Sequence, residues 1–583
     1  MEENPYENLV NGQMAIIGID LGTTNSLAAV WKGARGALIP NSLGELLTPS
    51  VVSVDGDEIL VGRAAKERLI SHPSLTASSF KRFMGTKKVY SLGRKNFTPE
   101  ELSSFVLRRL KEDAEVFLGS PVDEAVISVP AYFNDNQRSA AKRAGLLAGL
   151  KVERLINEPS AAALACRVQE EESSSERCLV FDFGGGTLDV SVVECFENVI
   201  EILAISGNNR LGGDDFDRII IDCFCRETGL SLAALAPENA ASLLAQAEQC
   251  KRLLSEDANG SATILLEEGG IFSFNLTNKK LVEAATPIFN EIAVVVRRAL
   301  QDSETRPLQL DRVLLVGGSS NMLTVQKYLE GLLRTRLLKS GPPELLVARG
   351  VGIYAGIKER REDIRDLVLT DVCPFTLGVA VRNKEDPKRS FMSPIIERNN
   401  ILPSSKTHRY FTASEYQTQI EIEVYQGESL YCDENLKLGS LTINVPSAPK
   451  GVEGVDVRFT YDINGILEVE VRSDVKTMRK LFVDEGNPMS QEEIERRLKE
   501  LMALKIHPRD KEENRLLLAR AERCYAETSG SLREQISLAL RHFLRELGRQ
   551  EERSTRNARE RFAKFLDQVD WSRDQNAYFE DEG

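Results

Sequence analysis

Two short segments of this chain have the residue types and spacing that could hold phosphate groups together with a divalent cation. Each begins with an apolar strand that ends in an aspartate, continues through a glycine-rich turn and returns as a second apolar strand. They are IIGIDLGTTNSLAAV, which starts at Ile16, and CLVFDFGGGTLDVSVV, which starts at Cys178. Asp20 and Asp182 occupy equivalent positions in the two copies. The repeat predicts two similar lobes, each of which contributes one hairpin.

The composition of the two turns fits phosphate chemistry. Glycine lets backbone N–H groups approach phosphate oxygens closely, and threonine adds hydroxyl donors. The aspartates would repel phosphate directly, so we expect Mg²⁺ and its waters to lie between them, since Mg²⁺ typically keeps several waters and takes one or two carboxylates. A single Asp-x-Gly turn is more typical of an ordinary hairpin, and the second aligned copy is what favours a phosphate site. The candidate residues are Gly22, Thr23, Thr24, Asn25, Gly184, Gly185, Gly186 and Thr187.

A third glycine-rich turn follows another apolar strand, in VLLVGGSSN at residues 313–321. A pair of glycines after a strand is usually only a turn. Beside two phosphate hairpins, it could let the backbone pass close to a base or a ribose. Gly317, Gly318 and Ser319 are therefore candidates for the nucleoside side of the site.

The order of elements predicts several domains. From Ala15 to about Ile364, short β-branched runs alternate with helical patterns, which indicates an α/β architecture. The apolar stretch Leu367, Val368 and Leu369 then follows a charged helix end. We interpret it as an interdomain linker, although such a stretch is more often a plain strand.

The rest of the chain changes pattern twice. From Asp371 to about Val483, strict alternation in QIEIEVYQG and a hairpin signal at Asn464 and Gly465 predict an antiparallel β domain. After Ser490, which forms a predicted capping box with Glu493, the pattern is helical to about Asp570.

Composition restricts the partners and the compartment. The net charge of −14, with no obvious basic face, argues against nucleic acid as a partner. The nine cysteines include no CxxC pair and the four histidines are isolated, so reduced thiols are expected rather than zinc ligands. No run reaches about 18 apolar residues and no signal peptide pattern opens the chain. We expect a cytoplasmic protein with no membrane partner.

Longer motifs identify a family. The segments IGIDLGTTNS, VPAYFND (129–135), INEPSAAALA (156–165), VFDFGGGTLDVSVVE and LGGDDFD (211–217) resemble the DnaK-type, seventy-kilodalton heat-shock chaperones in both order and spacing. DVCPFTLGVAV and GILEVEV extend the resemblance into the β domain. It covers residues 15–500 well and the helical end weakly. The short helical region resembles that of the bacterial HscC subgroup.

The resemblance implies a multidomain α/β, β and α fold. It consists of an actin-like two-lobed ATPase domain, an antiparallel β-sandwich that binds peptides and a short helical lid. The implied boundaries are a flexible tail at 1–13, the ATPase domain at 14–364, a linker at 365–371, the β-sandwich at 372–487, the lid at 488–575 and a flexible tail at 576–583.

The resemblance also implies roles at the phosphate site. Asp20 and Asp182 would hold the Mg²⁺ shell and an associated K⁺. Lys81, in FKRFMG, occupies the position of a catalytic lysine near the γ-phosphate, where Glu158 would polarise the attack site with it. Thr187 would lie beside the γ-phosphate. Without this context, a lone lysine would be interpreted as a solvated charge.

On the adenosine side, four residues fall on one helix face, which would otherwise be an ordinary salt-bridged surface. Two positions depart from the family, because Asn321 replaces an arginine that packs against adenine and Glu344 replaces an aspartate. We therefore expect altered base affinity or nucleotide exchange. The implied residues are Gly212, Gly213, Glu248, Lys251, Arg252, Ser255, Gly317, Gly318, Ser319, Asn321 and Glu344.

The implied coupling residues are Pro130 and Arg138 as a relay, Arg154 as a contact for a J-domain cochaperone, and the linker with Asp371. For both arginines an ordinary salt bridge is the simpler interpretation. Thr370 replaces the usual last leucine of the linker, so we expect weaker docking. The peptide slot would use Val379, Tyr410, Ala413, Ile420 and Ile422, although apolar residues at strand spacing are usually core. Arg382 stands where the family often has an apolar residue.

The function expected from this resemblance is that of an ATP-dependent chaperone for extended apolar segments of unfolded proteins. ATP or ADP, Mg²⁺ and K⁺ would be its cofactors. The sequence leaves open whether a nucleotide exchange factor is needed. A small-molecule kinase and a filament-forming actin relative are alternatives on the same two-lobed fold, but neither explains the β domain.

Overall fold

A computed structural model describes most of the chain. The described residues are 15–33, 35–56, 58–169, 175–196, 199–256, 261–267, 271–335, 337, 341–359, 364, 367–383, 386, 389–462, 465–482, 514, 517–518, 520–521, 524–525, 528, 530–549 and 552–580. The chain divides into two compact units, Met1–Pro374 and Phe375–Gly583. The predicted N-terminal tail and the capping box of Ser490 and Glu493 lie outside the described residues.

The first unit is an α/β structure. Its strands are β1 (Ile16–Asp20), β2 (Asn25–Trp31), β3 (Gly36–Ile39), β4 (Thr48–Pro49), β5 (Val51–Asp55), β6 (Glu58–Val61), β7 (Thr76–Ser78), β8 (Tyr90–Leu92), β9 (Lys95–Phe97), β10 (Glu124–Val129), β11 (Lys151–Asn157), β12 (Glu176–Phe183), β13 (Leu188–Phe196), β14 (Val199–Asn208), β15 (Ser261–Glu267), β16 (Ile271–Thr277), β17 (Arg312–Val316) and β18 (Val368–Thr370). Its α-helices are α1 (Arg63–Ser71), α2 (Pro99–Leu118), α3 (Asp135–Leu147), α4 (Glu158–Gln169), α5 (Gly213–Thr228), α6 (Pro237–Glu256), α7 (Asn278–Ala284), α8 (Thr286–Asp302), α9 (Leu323–Leu333) and α10 (Leu346–Lys358).

Two mixed sheets of this unit repeat the same arrangement. The first has the order β11-β10-β1-β2-β3, with β4 also paired to β2, and the second has the order β17-β12-β13-β14-β18. β1 runs parallel to β10 and antiparallel to β2. In the same way, β12 runs parallel to β17 and antiparallel to β13. The duplicated hairpin therefore predicts a real repeat. We call the elements around the first sheet lobe I and those around the second sheet lobe II.

Each lobe has its own apolar core, which fixes the strand that carries its aspartate. Ile17 and Ile19 of β1 are fully buried in lobe I. In lobe II, the ring of Phe183 lies 6.2 Å from that of Phe216 on α5, and Phe216 lies 5.8 Å from Phe289 on α8. Truncating a buried phenylalanine typically costs about 3–5 kcal/mol. This aromatic packing therefore holds the end of β12 firmly against α5.

Over its described residues, the second unit contains the predicted antiparallel sheets and two α-helices. Its elements are β19 (Leu377–Val381), β20 (Phe391–Ile396), β21 (Ser404–Phe411), β22 (Gln419–Gln426), β23 (Leu436–Asn444), β24 (Gly454–Tyr461), β25 (Leu467–Arg472), β26 (Thr477–Phe482), α11 (Gly530–Arg549) and α12 (Glu552–Glu580). The sheet orders are β20-β19-β22-β23 and β21-β24-β25-β26. β24 and β25 form the predicted hairpin, whose turn residue Gly465 has φ of 77°.

The helices α11 and α12 share an apolar core that includes Ile536, Phe543 and Phe562. α12 runs to Glu580, so the tail predicted from residue 576 is helical over its first part. Between Glu552 and Gly583 the sequence contains no glycine or proline that would end the helix earlier. Within the described part of the chain, no helix is long and apolar enough to cross a membrane.

Candidate functional site

The turns of the two hairpins lie directly against each other. A Cβ atom placed on Gly185 would come within 2.1 Å of Thr24 Oγ1, and one on Gly186 would come within 2.9 Å of Thr23 Cγ2. Non-bonded atoms do not approach so closely, so a side chain at either position would force these threonines to shift. The fold thus brings together two turns that are far apart in the sequence.

Helix α5 begins at the second turn. The backbone N–H of Gly213 donates to Gly184 O at 3.0 Å, and that of Asp214 donates to Gly185 O at 2.8 Å. The Gly184 N–H in turn donates to Thr187 O at 3.1 Å, and the Thr187 side chain is buried. The predicted residues of the second turn and of the LGGDDFD motif therefore form one continuous surface.

The aspartate at the end of each first strand lies beside these turns. Ser128 Oγ donates to Asp20 Oδ1 at 2.8 Å, and burial followed by the nearby Glu158 raises the pKa of Asp20 to about 7. Asp182 is buried, and burial raises its pKa well above the ordinary value. Gly317 has φ of 79°, and a Cβ there would lie 2.8 Å from Asp182 Oδ1. The third glycine-rich turn therefore passes close to the second aspartate.

A buried ion pair lies next to the aspartates. Lys81 Nζ donates to Glu158 Oε1 at 2.7 Å, and only 4% and 8% of the two side chains are exposed. Lys81 lies in a short 3₁₀ turn, Phe80–Phe83, whereas Glu158 is the first residue of α4. Glu158 raises the pKa of Asp20 and of Asp182, and Lys81 lowers both. The predicted catalytic pair is therefore in electrostatic contact with the predicted metal ligands.

One further carboxylate of the site was missed by the sequence reasoning. Asp189 on β13 is directly opposite Asp182 in the strand register and is 1% exposed. The Tyr132 N–H donates to Asp189 Oδ1 at 3.0 Å, whereas Oδ2 has no hydrogen-bond partner among the described residues. Burial, with Glu158 second, raises the pKa of Asp189 to about 7. The signal was the final aspartate of GGGTLD, in a motif already singled out.

The residues present fit Mg²⁺ held mainly through water. Three aspartates and Glu158 interact electrostatically with Lys81, and Asp189 also interacts with Arg138, so carboxylates outnumber cations in the site. One carboxylate oxygen, Oδ2 of Asp189, has no hydrogen-bond partner in the described part of the chain. Over the described ranges, no three histidine, cysteine, aspartate or glutamate side chains form a direct metal-ligand cluster. Mg²⁺ keeps several of its waters and needs only one or two carboxylates, so Asp20 and Asp182 satisfy its requirement. Nothing in this geometry tests the K⁺ prediction.

The predicted adenosine residues also come together. Lys251 Nζ donates to Asp217 Oδ2 at 2.7 Å and to Gly213 O at 3.0 Å. A Cβ on Gly213 would lie 2.2 Å from Ser319 Oγ. Asp217 is a second missed residue, and burial raises its pKa to about 6 although Lys251 opposes the rise. Its motif, LGGDDFD, contains three aspartates, and the sequence does not show which of them faces the helix of Lys251.

At the outer end of this region, Asn321 Nδ2 donates to Glu344 Oε2 at 3.2 Å. The two residues that depart from the family are thus hydrogen-bonded to each other. On α6, Arg252 Nη2 donates to Glu248 Oε1 at 2.6 Å, and Ser255 Oγ donates to Lys251 O at 2.8 Å. The helix face predicted from the spacing exists, and Glu248 also lies 3.8 Å from Lys66 Nζ of lobe I.

Arg138, one of the two predicted relay residues, begins a hydrogen-bonded chain that ends at Asp371. Arg138 Nη2 donates to Asn157 Oδ1 at 2.6 Å, and Asn157 Nδ2 donates to Asp371 Oδ2 at 2.6 Å. Ser160 Oγ donates to the same Asp371 oxygen at 3.2 Å. Pro130 begins the tight turn before α3 and accepts from the Phe133 N–H at 3.1 Å. Asn157 and Ser160 flank Glu158 in INEPSAAALA, but their distant partner Asp371 is not visible in the sequence.

The predicted linker is an edge strand of lobe II. β18 pairs in parallel with β14, with Val368 opposite Val199, Leu369 opposite Ile200 and Thr370 opposite Glu201. The stretch interpreted from the sequence as a linker therefore has the conformation of a strand, which was the alternative interpretation. Arg154, predicted to serve a cochaperone, hydrogen-bonds to the Tyr354 hydroxyl within lobe I.

The five predicted peptide-slot residues differ in exposure. Val379, Ile420 and Ile422 are buried, whereas Tyr410 and Ala413 are partly exposed. The Tyr410 and Ser393 hydroxyls lie 3.0 Å apart. The alternation of β22 is confirmed, and the use of these residues as a slot stays a prediction.

The first unit thus has two lobes whose glycine turns meet beside buried carboxylates, and a sheet-rich unit follows it in the same chain. The family model described as Hsp70 protein matches residues 16–91 and 88–570. This is nearly the whole chain, and the protein therefore belongs to the Hsp70 family. Family membership gives it the general function of an ATP-dependent chaperone with ATPase activity. Its general ligands are ATP or ADP with Mg²⁺, and its general partners are unfolded proteins and cochaperones.

Proposed function

We propose that this chain is an HscC-like chaperone in which slow ATP hydrolysis at the two hairpins times the release of extended apolar peptide segments. The observation that carries the proposal is the meeting of the two glycine turns beside the buried Lys81–Glu158 pair and the aspartates. This arrangement suits phosphoryl transfer to water, which needs charge neutralisation and a positioned nucleophile more than covalent chemistry.

The residues divide the work by position. The N–H groups of the glycine turns and the hydroxyls of Thr23, Thr24 and Thr187 bind phosphate oxygens. Lys81 neutralises charge near the γ-phosphate, and Glu158 orients Lys81 and accepts a hydrogen bond from the attacking water. Asp20 and Asp182 would hold Mg²⁺, which would supply further charge neutralisation. Water bonds to the γ-phosphorus while the bridging P–O bond breaks, a proton of the water passes to a phosphate oxygen, and ADP and inorganic phosphate leave.

We infer that Asp371 reports the state of the site to the second unit. The chain from Arg138 through Asn157 ends on Asp371, which directly follows β18. Asn157 is next to Glu158 in the sequence, so a shift of Glu158 would also move Asn157 and change its hydrogen bonds to Arg138 and Asp371. Coupling then requires that ATP and ADP bind two states of the chain with different affinity.

The partners proposed here are a J-domain cochaperone at the surface of Arg154 and apolar client segments at the second unit, within boundaries of 372–487 for the β domain and 488–575 for the lid. K⁺ is proposed as a further cation near Asp20 and Asp182. A cytoplasmic location is proposed because the nine cysteines are scattered along the sequence and include no CxxC pair, as expected of reduced thiols.

Peptide dissociation measured with ATP and with ADP tests the proposal. We expect an unfolded apolar peptide to stimulate ATP hydrolysis and to dissociate faster with ATP than with ADP. A sugar substrate should not stimulate hydrolysis, which separates this function from that of a kinase, and light scattering should show no nucleotide-dependent filaments.

Thr187→Ala provides the matched variant. It should retain peptide affinity in the micromolar range, which corresponds to about −8 kcal/mol, but lose the difference between ATP and ADP. Equal peptide dissociation rates with the two nucleotides in the unmodified protein would refute the coupling.

A further inference from the structure

Next to Lys81 in the sequence, a buried arginine joins the two lobes. Arg82 lies in the same 3₁₀ turn, and only 6% of its side chain is exposed. Its Nη2 lies 2.7 Å from Arg210 O and 3.2 Å from Asp215 Oδ2, and its Nη1 lies 3.5 Å from Asp214 Oδ2. These three acceptors belong to lobe II, at or just before the start of α5.

A second residue of the turn makes the same connection. Ser79 Oγ donates to Asp214 Oδ2 at 3.0 Å. Ser79 has φ of 53°, a left-handed conformation that is unfavourable for a serine, so the turn keeps this backbone under strain. The adjacent Phe80 and Met84 are buried in the core of lobe I. The turn is therefore rooted in one lobe and hydrogen-bonded on both flanks of Lys81 to the other.

The same contacts border the phosphate surface. A Cβ atom on Gly186 would lie 2.6 Å from Arg82 Cγ, so the arginine stem packs against the second glycine turn. A Cβ on Gly185 would lie 3.3 Å from Asp214 Oδ1. Arg82 and Asp214 thus contact the turn that is proposed to bind phosphate, while Lys81 points to Glu158 in lobe I.

The hydrogen bonds of this cluster can form only when the lobes are together, because Ser79 and Arg82 belong to lobe I and their acceptors belong to lobe II. Separation of the lobes would break the hydrogen bonds of both Ser79 and Arg82 and would free the turn that holds Lys81. The position of Lys81 is therefore tied to the contact between the lobes.

We propose that Arg82, with Ser79 and Asp214, is a positioning device that places Lys81 for hydrolysis only when the two lobes are in contact. This inference rests on the proposed hydrolytic function. Arg82 acts through Lys81, and loss of Arg82 should affect the hydrolytic step and the retention of ADP together.

Single-turnover ATP hydrolysis and ADP dissociation, measured on the full chain, test the proposal. Arg82→Ala should slow hydrolysis at saturating ATP about tenfold or more and should speed ADP release several-fold. Arg82→Lys should recover part of the rate, because lysine keeps the charge without the planar fork. Ser79→Ala, which removes one hydrogen bond and is the mildest change, should show smaller shifts in the same directions.

Arg143→Ala is the matched control, because Arg143 pairs with Glu100 at 3.1 Å within lobe I and should change neither rate. In a Lys81→Met background, Arg82→Ala should slow hydrolysis no further, since the two residues act as one unit. If the two losses instead multiply, or if Arg82→Ala hydrolyses ATP at the unmodified rate, the positioning role is refuted. If Arg82→Ala lowers only the melting temperature, its role is structural and the proposal is wrong.

Failure of this inference can be separated from failure of the proposed function. If the unmodified chain shows no hydrolysis and no peptide effect, the proposed function itself fails. If it hydrolyses ATP and responds to peptide while Arg82→Ala matches it in both rates, only the positioning role is wrong.

Discussion

Replacing Lys81 by methionine tests whether the Lys81–Glu158 pair is part of the folded framework as well as of the chemistry. The pair is 2.7 Å long and almost completely buried. Methionine keeps most of the length and volume of lysine but removes the charge. Glu158 would then remain buried beside Asp20, Asp182 and Asp189, whose pKa values it already raises.

The expected cost is large because one member of a buried pair is left behind. Breaking such a pair typically costs about 3–5 kcal/mol, most of it the penalty of an uncompensated buried charge. The double variant Lys81→Met/Glu158→Gln removes both charges, so we expect it to recover all but about 1 kcal/mol. Both variants should hydrolyse ATP only at a small residual rate. Stability and catalysis are thereby separated.

The assay is urea unfolding in the absence of nucleotide and in the presence of a chelator, and tryptophan fluorescence monitors the transition. The chain contains two tryptophans, and Trp31 is buried in β2 of lobe I. In a Trp571→Phe background, emission therefore reports on the unit that contains the pair. Midpoints are compared within this one transition, because a chain of several domains need not unfold in a single step.

Arg177→Met is the control. Arg177 pairs with Glu194 at 2.8 Å in lobe II, but 23% and 31% of these side chains are exposed. Solvent screening limits such a pair to about 0–1 kcal/mol. The reasoning fails if Lys81→Met costs no more than Arg177→Met, or if adding Glu158→Gln recovers none of the loss.

Three further changes have defined outcomes. Burial raises the pKa of Asp217 to about 6, so the protonated form of Asp217 favours the folded state. Its contribution to the free energy of unfolding is fully present below about pH 4 and is lost as the pH rises through 6. Asp217→Asn should flatten this dependence, which amounts to up to about 3 kcal/mol between pH 4 and neutral pH in urea titrations; an unchanged pH profile would contradict this. Thr370→Leu should strengthen the pairing of β18 by about 1 kcal/mol through added apolar burial, seen as slower proteolysis at the linker with ATP, and equal proteolysis of both forms would count against it. Asn321→Arg should slow ADP dissociation about three- to fivefold, because a guanidinium can stack on the base and pair with Glu344, and stopped-flow release of a fluorescent ADP analogue measures it; an unchanged or faster release would exclude such a stack.

The parts of the fold that the sequence predicts are those whose signals are local. The hairpins at Asp20 and Asp182 are predicted because strand, aspartate and glycine turn follow one another within a few residues. The alternation that buries Ile420 and Ile422 is equally local, and the hairpin turn at Gly465 needs only its own dipeptide. In each case the pattern and the tertiary packing favour the same structure.

The residues that were missed are those whose partners are remote. Asp189 is recognisable only once its strand is paired with β12, and Arg82 becomes a connection between lobes only once Asp214 is beside it. Asn157 likewise depends on Asp371, more than two hundred positions later in the chain. Neighbours of a motif residue could have been examined, but a single sequence does not show which of them turns toward the other lobe.

The charge of the site explains why nucleotide and cation should bind together. Burial is the first cause of the raised pKa at Asp20, Asp182 and Asp189, and Glu158 raises all three further. Lys81 lowers all three, and Arg138 also lowers that of Asp189, but Lys81 already bonds to Glu158 and Arg138 to Asn157. A triphosphate would add negative charge to a region whose nearby cations are already paired, so phosphate affinity must come largely from Mg²⁺ and from backbone N–H groups. The glycine turns and the aspartates therefore act together. The turns offer backbone N–H groups to the phosphates, and the carboxylates would hold the cation without which the phosphates would be repelled.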